Sequence, residues 1–290
     1  MRGAFVLVVV ALALGASAAH GGARGLQHVT LIGDSVADAI PGDASAVAVL
    51  RQGVDLDLEV EACRRVDQES CPNKGVRPPN VVQLANAMGS KLGPNIVVAV
   101  GYNDFEDQYA QNIENALDAF KAAGVKHVWW LTLRAAHHGY ITMNAGIEAA
   151  AKKHPELSVI DWNVYSRSHP DWFQADGLHL LAPGAEAMAT LIHKTLVDDG
   201  IALKPVSVAT TGLPAARRGK PYAAKLQASS GLAPYRWSLL ARAPKGIHLE
   251  ADGRIIGKPL AKPGVYVIGV RVKDSSGTSD VRRITLRIKP

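Results

Sequence analysis

Short apolar runs alternate with helical spacing over the first two thirds of the chain. Runs rich in β-branched residues predict buried strands, and apolar residues three and four positions apart predict the helices between them. The predicted strands are 28–32, 55–62, 96–100, 128–133 and 157–161, and the predicted helices are 78–88, 107–123, 142–153 and 185–196. Strands separated by helices of this length predict a parallel sheet covered on both faces, which is an α/β fold.

The pattern changes near residue 203, where helical spacing is lost and Gly/Pro turns become frequent. Short alternating strands are predicted at 206–210, 222–228, 235–239, 254–256, 264–273 and 279–288. Strands of this length and spacing are typical of a β-sandwich. We therefore expect an α/β domain over residues 26–202 and a small all-β domain over residues 205–290.

The N-terminus has the pattern of a secretory signal. A basic start at Arg2 is followed by an apolar run over 4–14 and by small residues at 16–18, which predicts a signal peptide over 1–19 and a secreted, extracellular mature protein. No other segment approaches the roughly 20 apolar residues that a transmembrane helix needs. No membrane span is expected.

The chain has two cysteines, Cys63 and Cys71. In an exported protein, a lone close pair predicts one disulfide. A metal site is the alternative, but two cysteines without nearby histidines do not make a tetrahedral ligand set. The pair His137 and His138 lacks a third ligand and is interpreted as a substrate contact or as exposed. No metal and no cofactor are expected.

The charge balance is mildly basic, with 32 Lys and Arg against 26 Asp and Glu, a net charge of +6 and a pI near 9.3. The basic residues look scattered along the chain, and no stretch interleaves them with aromatic residues, so nucleic acid is not a predicted partner. Attraction to acidic cell-wall or polysaccharide surfaces is compatible with this charge. A solvated basic surface is the default interpretation.

Three polar motifs carry the candidate chemistry. Gly-Asp-Ser at 33–35 and Gly-Tyr-Asn-Asp at 101–104 each follow a predicted strand, and Asp-Gly-Leu-His at 176–179 precedes the last helix. In open α/β sheets, sites form at the carboxyl ends of the strands. A serine nucleophile needs a neighbouring base, for which His179 is the candidate, and Asp176 would orient its ring. Asn103 and the backbone N–H of Ser35 would stabilise an oxyanion.

These motifs resemble the blocks of the SGNH (GDSL) hydrolases over about residues 26 to 200. The resemblance implies a flavodoxin-like α/β/α sandwich and a serine-dependent esterase or acyl-transfer activity. It assigns Ser35 as nucleophile, His179 as base, Asp176 as its partner and Asn103 to the oxyanion hole. One block departs from the family, because residues 60–66 contain no glycine to supply a second backbone N–H. Arg65 is the occupant predicted by position, and a surface arginine pair is the alternative.

Two further regions are interpreted from their composition. The aromatic segment 162–174 would either wall a substrate pocket or pack onto the sheet. Residues 205–290 resemble the immunoglobulin-like (cadherin-like) repeats appended to exported bacterial proteins, with Trp237 expected in the core rather than as a sugar platform.

The first hypothesis is an exported serine esterase that hydrolyses short-chain acyl esters, including O-acetyl groups on a glycan. The alternatives are an acyltransferase that moves the acyl group to a glycan hydroxyl, and a catalytically inactive surface-binding protein. The intact set Ser35, Asn103, Asp176 and His179 favours an enzyme, since a degenerate relative would have lost at least one member.

Overall fold

The computed structural model describes residues 25–135 and 138–290. The predicted signal peptide and His137 lie outside these residues. The first domain has five strands, β1 Gln27–Gly33, β2 Val54–Val60, β3 Asn95–Ala99, β4 His127–Leu131 and β5 Leu157–Ile160. Its helices are α1 Ala44–Leu50, α2 Val81–Met88, α3 Glu106–Ala123, α4 His138–Lys153, α5 Trp162–Ser166 and α6 Ala182–Asp198, with short 3₁₀ turns at Ala37–Ala39, Gly89–Leu92 and Pro170–Trp172.

The five strands form one parallel sheet in the order β2-β1-β3-β4-β5. This is the flavodoxin-like order, whose direction reverses between β1 and β3. Separate apolar clusters cover the two faces: Val29 and Leu31 pack on one side with α1 and α6, and Ile32 and Ile96 pack on the other with α2 and α3. The predicted α/β fold with both faces covered is confirmed.

Local sequence explains where several helices begin and end. Asn80 and Gln83 form a capping box at the start of α2, each side chain accepting the other residue's backbone N–H. Helix α3 ends at Gly124, whose φ of 90° is the left-handed conformation that glycine adopts easily. Helix α1 was not predicted from the sequence. Its cap is Asp43, which accepts the N–H groups of Ser45 and Ala46.

The second domain consists of short strands. They are β6 Ser207–Val208, β7 Ala216–Arg217, β8 Tyr222–Lys225, β9 Ala228–Ser229, β10 Arg236–Leu239, β11 Ile247–Leu249, β12 Arg254–Gly257, β13 Gly264–Lys273 and β14 Ser279–Lys289. They form a four-stranded sheet β10-β13-β14-β7, a three-stranded sheet β11-β12-β8 and the pair β6-β9. The predicted β-rich domain is confirmed; β7 and β11 were not predicted.

Trp237 is 7% exposed and lies in the apolar core of the second domain, as expected. Gly253 makes room for it, because a Cβ at this position would lie 2.8 Å from the indole Nε1. Over residues 25–135 and 138–290, no helix is both long enough and apolar enough to cross a bilayer.

Candidate active site

The candidate site lies where the sheet order reverses. Ser35 follows β1 and Asn103 follows β3, two adjacent parallel strands whose carboxyl ends share one edge of the sheet. This is the place where open α/β sheets form ligand sites. The third motif, which carries Asp176 and His179, reaches the same edge from the loop before α6.

Asp34 joins the first two motifs. It is fully buried, and its carboxylate accepts the backbone N–H groups of Val36 at 3.0 Å, Gly101 at 3.1 Å and Tyr102 at 3.1 Å. Burial raises the pKa of Asp34 to about 6, although the three N–H donors act in the opposite direction. The Ser35 turn and the Gly101 turn are therefore held in a fixed relation. The sequence reasoning gave Asp34 no role, although it is the middle residue of the first motif.

The structure brings Ser35, His179 and Asp176 into one hydrogen-bonded chain. His179 Nε2 lies 3.0 Å from Ser35 Oγ, and His179 Nδ1 lies 2.7 Å from Asp176 Oδ2. The other carboxylate oxygen of Asp176 accepts the backbone N–H groups of Leu178 and His179. These contacts imply a proton on Nδ1, which leaves Nε2 free to accept the serine proton.

Hydrogen bonds stabilise the negative charge of Asp176, although its carboxylate is exposed. The hydrogen bond from His179, followed by the two backbone N–H groups, lowers the pKa of Asp176 to about 2. Gly177 permits the tight turn between Asp176 and His179 with a φ of 69°. Asp176 is thus ionised at any ordinary pH and can hold the imidazole in one orientation.

The aromatic segment before this loop packs mostly onto the domain. Trp162 and Phe173 are buried, and the His169 ring stacks on Trp172 with centroids 3.8 Å apart. Backbone hydrogen bonds from Gln174 to His179 and from Leu181 to Trp172 connect the segment to the loop that carries Asp176 and His179. The segment therefore packs onto the domain and holds the loop of His179 in place, which favours packing onto the sheet over the role of a pocket wall.

Asn103 lies beside the disulfide-bonded segment. Its Nδ2 donates to the backbone oxygen of Arg64 at 3.3 Å, which uses one of the two amide hydrogens. The Cys63–Cys71 disulfide is present, as predicted, and Cys71 Sγ lies 3.9 Å from Asn103 Oδ1. The disulfide loop thus packs directly against this side chain.

Backbone conformation distinguishes the residues of the segment 60–66, the block that lacks the family's glycine. Cys63 has a φ of 71°, in the left-handed region that favours glycine. Within the described part of the chain, the N–H groups of Cys63 and Ser35 donate to no acceptor. The N–H of Arg65, in contrast, donates to Ser70 Oγ at 3.3 Å, and its guanidinium lies 4.5 Å from the centre of the Phe105 ring.

Two charged residues, the buried Arg64 and the partly buried Asp104, support this region, and the sequence reasoning assigned a role to neither. Arg64 is fully buried, and its Nη1 donates to the backbone oxygen of Pro79. Asp104 accepts the backbone N–H of Val66 with both carboxylate oxygens, at 3.0 and 3.2 Å. Burial raises the pKa of Asp104 to about 7. The feature of the sequence that could have identified Asp104 is its position next to Asn103 in the motif at 101–104.

The pair formed by His179 and Asp176, which we call the dyad, is open to solvent. The side chains of His179 and Asp176 are 37% and 47% exposed. In the described residues, no group of three or more His, Cys, Asp and Glu side chains is placed to hold a metal ion.

Comparison with known proteins adds two kinds of relative. Residues 204–289 match the family model described as "Putative Ig domain". The chain is 25% identical over 160 residues to "Putative peptidoglycan O-acetyltransferase YrhL" of Bacillus subtilis (strain 168), which covers 54% of this chain and 24% of the relative. It is 31% identical over 109 residues to "O-acetyltransferase OatA" of Staphylococcus aureus (strain NCTC 8325 / PS 47), which covers 37% of this chain and 17% of the relative. The chain thus spans a quarter or less of the length of these relatives.

Solved structures cover the first domain. TesA is 18% identical with a TM-score of 0.46 and covers 59% of this chain and 98% of TesA. An enzyme described as a putative arylesterase from Agrobacterium tumefaciens str. C58 is 12% identical with a TM-score of 0.47 and covers 60% of this chain and 99% of its own. These overall likenesses are partial, and the fold assignment rests on the strand order of the sheet.

The class of protein follows from the fold, the motifs and the sequence relatives together. The chain combines an SGNH-type domain with a C-terminal immunoglobulin-like domain. The first domain is related in sequence to proteins named as O-acetyltransferases.

Proposed function

We propose that the protein is a serine esterase that hydrolyses short-chain acyl esters, with O-acetyl groups on a glycan as the preferred class. The observation that carries the proposal is the hydrogen-bonded chain from Ser35 through His179 to Asp176 at the reversal point of the sheet. Nucleophile, base and orienting carboxylate each lie within hydrogen-bond reach of the next, which is the geometry of an activated serine.

In the acylation step, Ser35 Oγ attacks the ester carbonyl while its proton passes to His179 Nε2. Asp176 holds the ring and stabilises the imidazolium that forms. The tetrahedral intermediate then collapses, the bond to the alcohol oxygen breaks, and His179 returns the proton to the departing alcohol. Ser35 is left carrying the acyl group.

Three donors would hold the oxyanion: the N–H of Ser35, the second hydrogen of Asn103 Nδ2, and the N–H of Cys63 in place of the Arg65 prediction. Cys63 is favoured because it has the glycine-like conformation and an uncommitted N–H, whereas the Arg65 N–H is engaged by Ser70. One such donor typically contributes about 2.7 to 4 kcal/mol to lowering the barrier.

Deacylation determines whether the enzyme is a hydrolase or a transferase. Water attacks the acyl-serine in an esterase, whereas a sugar hydroxyl attacks in a transferase, and His179 takes the proton in either case. Transfer to a glycan hydroxyl is our second candidate, and the observation that favours it is the sequence similarity to proteins named as O-acetyltransferases. The exposed dyad suits the alcohol portion of a polymer in both reactions.

The proposed location is outside the cytoplasm. The disulfide between Cys63 and Cys71 supports it, because disulfides persist in oxidising compartments. The predicted signal peptide adds to this proposal.

The test compares release of p-nitrophenol from acetyl and octanoyl esters by the purified chain and by Ser35→Ala. Turnover of the acetyl ester that disappears in Ser35→Ala, together with an acetylated Ser35 peptide in mass spectrometry, is the expected result. Added chito-oligosaccharide separates the two candidates, since a transferase would yield acetylated sugar in place of free acetate. Absence of turnover and of acetyl-Ser35 would support the inactive, surface-binding alternative.

A further inference from the structure

Charge is distributed very unevenly between the two domains. Residues 205–290 contain sixteen Lys and Arg but four Asp and Glu, whereas residues 1–204 contain sixteen Lys and Arg and twenty-two Asp and Glu. The small second domain therefore has an excess of twelve positive charges, and the remainder of the chain has an excess of six negative charges. The expectation that basic residues are scattered is wrong, because the charge of the whole chain conceals this asymmetry.

The strand register gathers many of these cations on one surface. Partners across a ladder share a face, and along a strand every second side chain does. In the sheet β10-β13-β14-β7, the buried side chains of Val270 and Val272 on β13 and of Ile284 and Leu286 on β14 define the inner face. The exposed outer face, which we call the basic face, carries Arg217, Arg236, Arg271, Lys273, Arg283, Arg287 and Lys289.

The cations on the basic face form a diagonal band. Arg236 pairs with Lys273 at one end and Arg217 pairs with Lys289 at the other, and Arg271, Arg283 and Arg287 lie between these pairs. From Ser279 to Lys289 the strand rises by about 3.3 Å per residue, so the band is about 30 Å long. A band of this length is suited to an extended chain with repeated charges rather than to one small anion.

No acidic side chain of the second domain lies on the basic face, because all four of them are engaged elsewhere. Glu250 and Asp252 form ion pairs with Arg254 and Lys225 on the other sheet. Asp274 is buried and accepts the N–H groups of Leu232 and Thr278. Asp280 faces inward and accepts the N–H of Val208.

The side chains between these cations help to define the ligand. The other outward-facing positions of this sheet are occupied by Val265, Val267, Gly269, Val281, Thr285, Ser238 and Ser279. These are small residues, and none of them offers a ring on which a nucleobase would stack. The planar guanidinium groups match carboxylates in a two-pronged geometry.

We propose that the basic face of the second domain binds a linear polysaccharide that carries carboxylate groups, and so holds the chain on an anionic glycan. Charge complementarity along the band supplies the attraction, and the exposed outer face of the sheet can be approached by a polymer. This inference concerns a surface distinct from the Ser35 site and does not depend on the proposed activity. The binding measurement below involves no turnover, so its outcome is independent of whether the enzyme proposal holds.

The experiment measures binding of the purified full chain to polygalacturonate, a linear uronate polymer, at 0.15 M salt. The test variant is Arg271→Glu, Arg283→Glu, Arg287→Glu. The matched control is Arg242→Glu, Lys245→Glu, Lys258→Glu, three residues outside the basic face with the same change in net charge. We expect the test variant to raise Kd about tenfold or more, and the control to raise it less than about threefold.

A charge-neutral variant and three other ligands extend the binding measurement. Arg271→Gln, Arg283→Gln, Arg287→Gln should also weaken binding, and thermal unfolding checks that each variant is folded. Equal losses in the test and control variants would overturn the assignment to the basic face. Equal affinity for neutral dextran, or tighter binding to duplex DNA or to phosphatidylglycerol vesicles of matched charge concentration, would overturn the proposed partner.

Discussion

In the first domain, the carboxylates of Asp34 and Asp104 accept hydrogen bonds from backbone N–H groups. In the second domain, the cations of the basic face have no acidic side chain of that domain beside them. Asp34 is buried and Asp104 is partly buried, and both accept these hydrogen bonds at the sheet edge. Arg271 and Arg283 are exposed and lie outside every ion pair of the described residues. Engaged charges therefore build a rigid reaction site, and unengaged charges leave a surface available for an anionic partner. The two domains serve different steps, chemistry in one and attachment in the other, under the functions proposed above.

The largest expected effect is loss of the nucleophile or base. Ser35→Ala and His179→Ala should each lower kcat on the acetyl ester more than about 10³-fold, because members of such a chain act as a unit. Both variants should keep wild-type affinity for polygalacturonate. Kinetics beside Ser45→Ala, an exposed serine on α1, provide the check. Activity of Ser35→Ala within tenfold of wild type would rule out the acyl-serine mechanism.

Asn103→Ala should lower kcat about 10²- to 10³-fold with a smaller change in KM, since an oxyanion donor acts mainly on the transition state. Asn115→Ala, which removes an amide that contacts Asp67, is the matched control. A change confined to KM would instead show that Asn103 positions the substrate in its ground state.

The partly buried Asp104 should make stability pH-dependent in a defined direction. Its folded pKa of about 7 exceeds the ordinary aspartate pKa of 3.8, so between these values the folded state retains a proton that the unfolded state has released. The contribution of this group to stability is therefore present below about pH 4 and is lost as pH rises through about 7. Asp104→Asn removes the buried charge, and its stability relative to wild type should rise by about 1.4 kcal/mol per pH unit over that range.

Urea unfolding at pH 5, 6, 7 and 8 measures this difference, with the exposed Asp118→Asn as the control. A difference between Asp104→Asn and wild type that stays constant with pH would show that Asp104 is not a buried, titrating carboxyl.

Removing the disulfide should affect the first domain alone. The double variant Cys63→Ala, Cys71→Ala should lose about 2 to 3 kcal/mol of stability in the chain-entropy model. It should also lose kcat, because a φ of 71° is unfavourable for any residue with a Cβ and the disulfide no longer constrains residue 63. Cys63→Gly, Cys71→Ala adopts that φ without a Cβ and should recover part of kcat. Equal kcat in the two double variants would argue against Cys63 as an oxyanion donor.

The smallest effect is expected on the other sheet of the second domain. Arg254→Ala removes exposed ion pairs with Glu250 and Asp252 and should cost less than about 1 kcal/mol of stability. Its affinity for polygalacturonate should stay near that of wild type, as measured by the same binding assay. A loss of affinity as large as that of the variant Arg271→Glu, Arg283→Glu, Arg287→Glu would show that the binding surface is not confined to the basic face.

The sequence alone determined the elements with strong patterns. Strand β3 is apolar throughout most of its length and helix α3 has clear spacing and a terminal glycine, so both were predicted within one residue at each end. The motifs around Ser35, Asn103 and His179 were visible because each occupies a few consecutive positions next to a strand or helix. The disulfide could be predicted because the chain contains only two cysteines.

Only the tertiary structure decided how distant segments meet. The link from Asp34 to Gly101 spans 67 positions, and no local pattern records it. Cys63 has a left-handed φ within the disulfide loop that packs beside Asn103, so a cysteine has the glycine-like conformation in the block where sequence reasoning sought a glycine. The basic face depends on strand register, which places residues from four strands side by side although they are far apart along the chain. Local hydrophobic pattern fixes which face of a segment is buried, whereas the pairing of segments decides which polar side chains share a site.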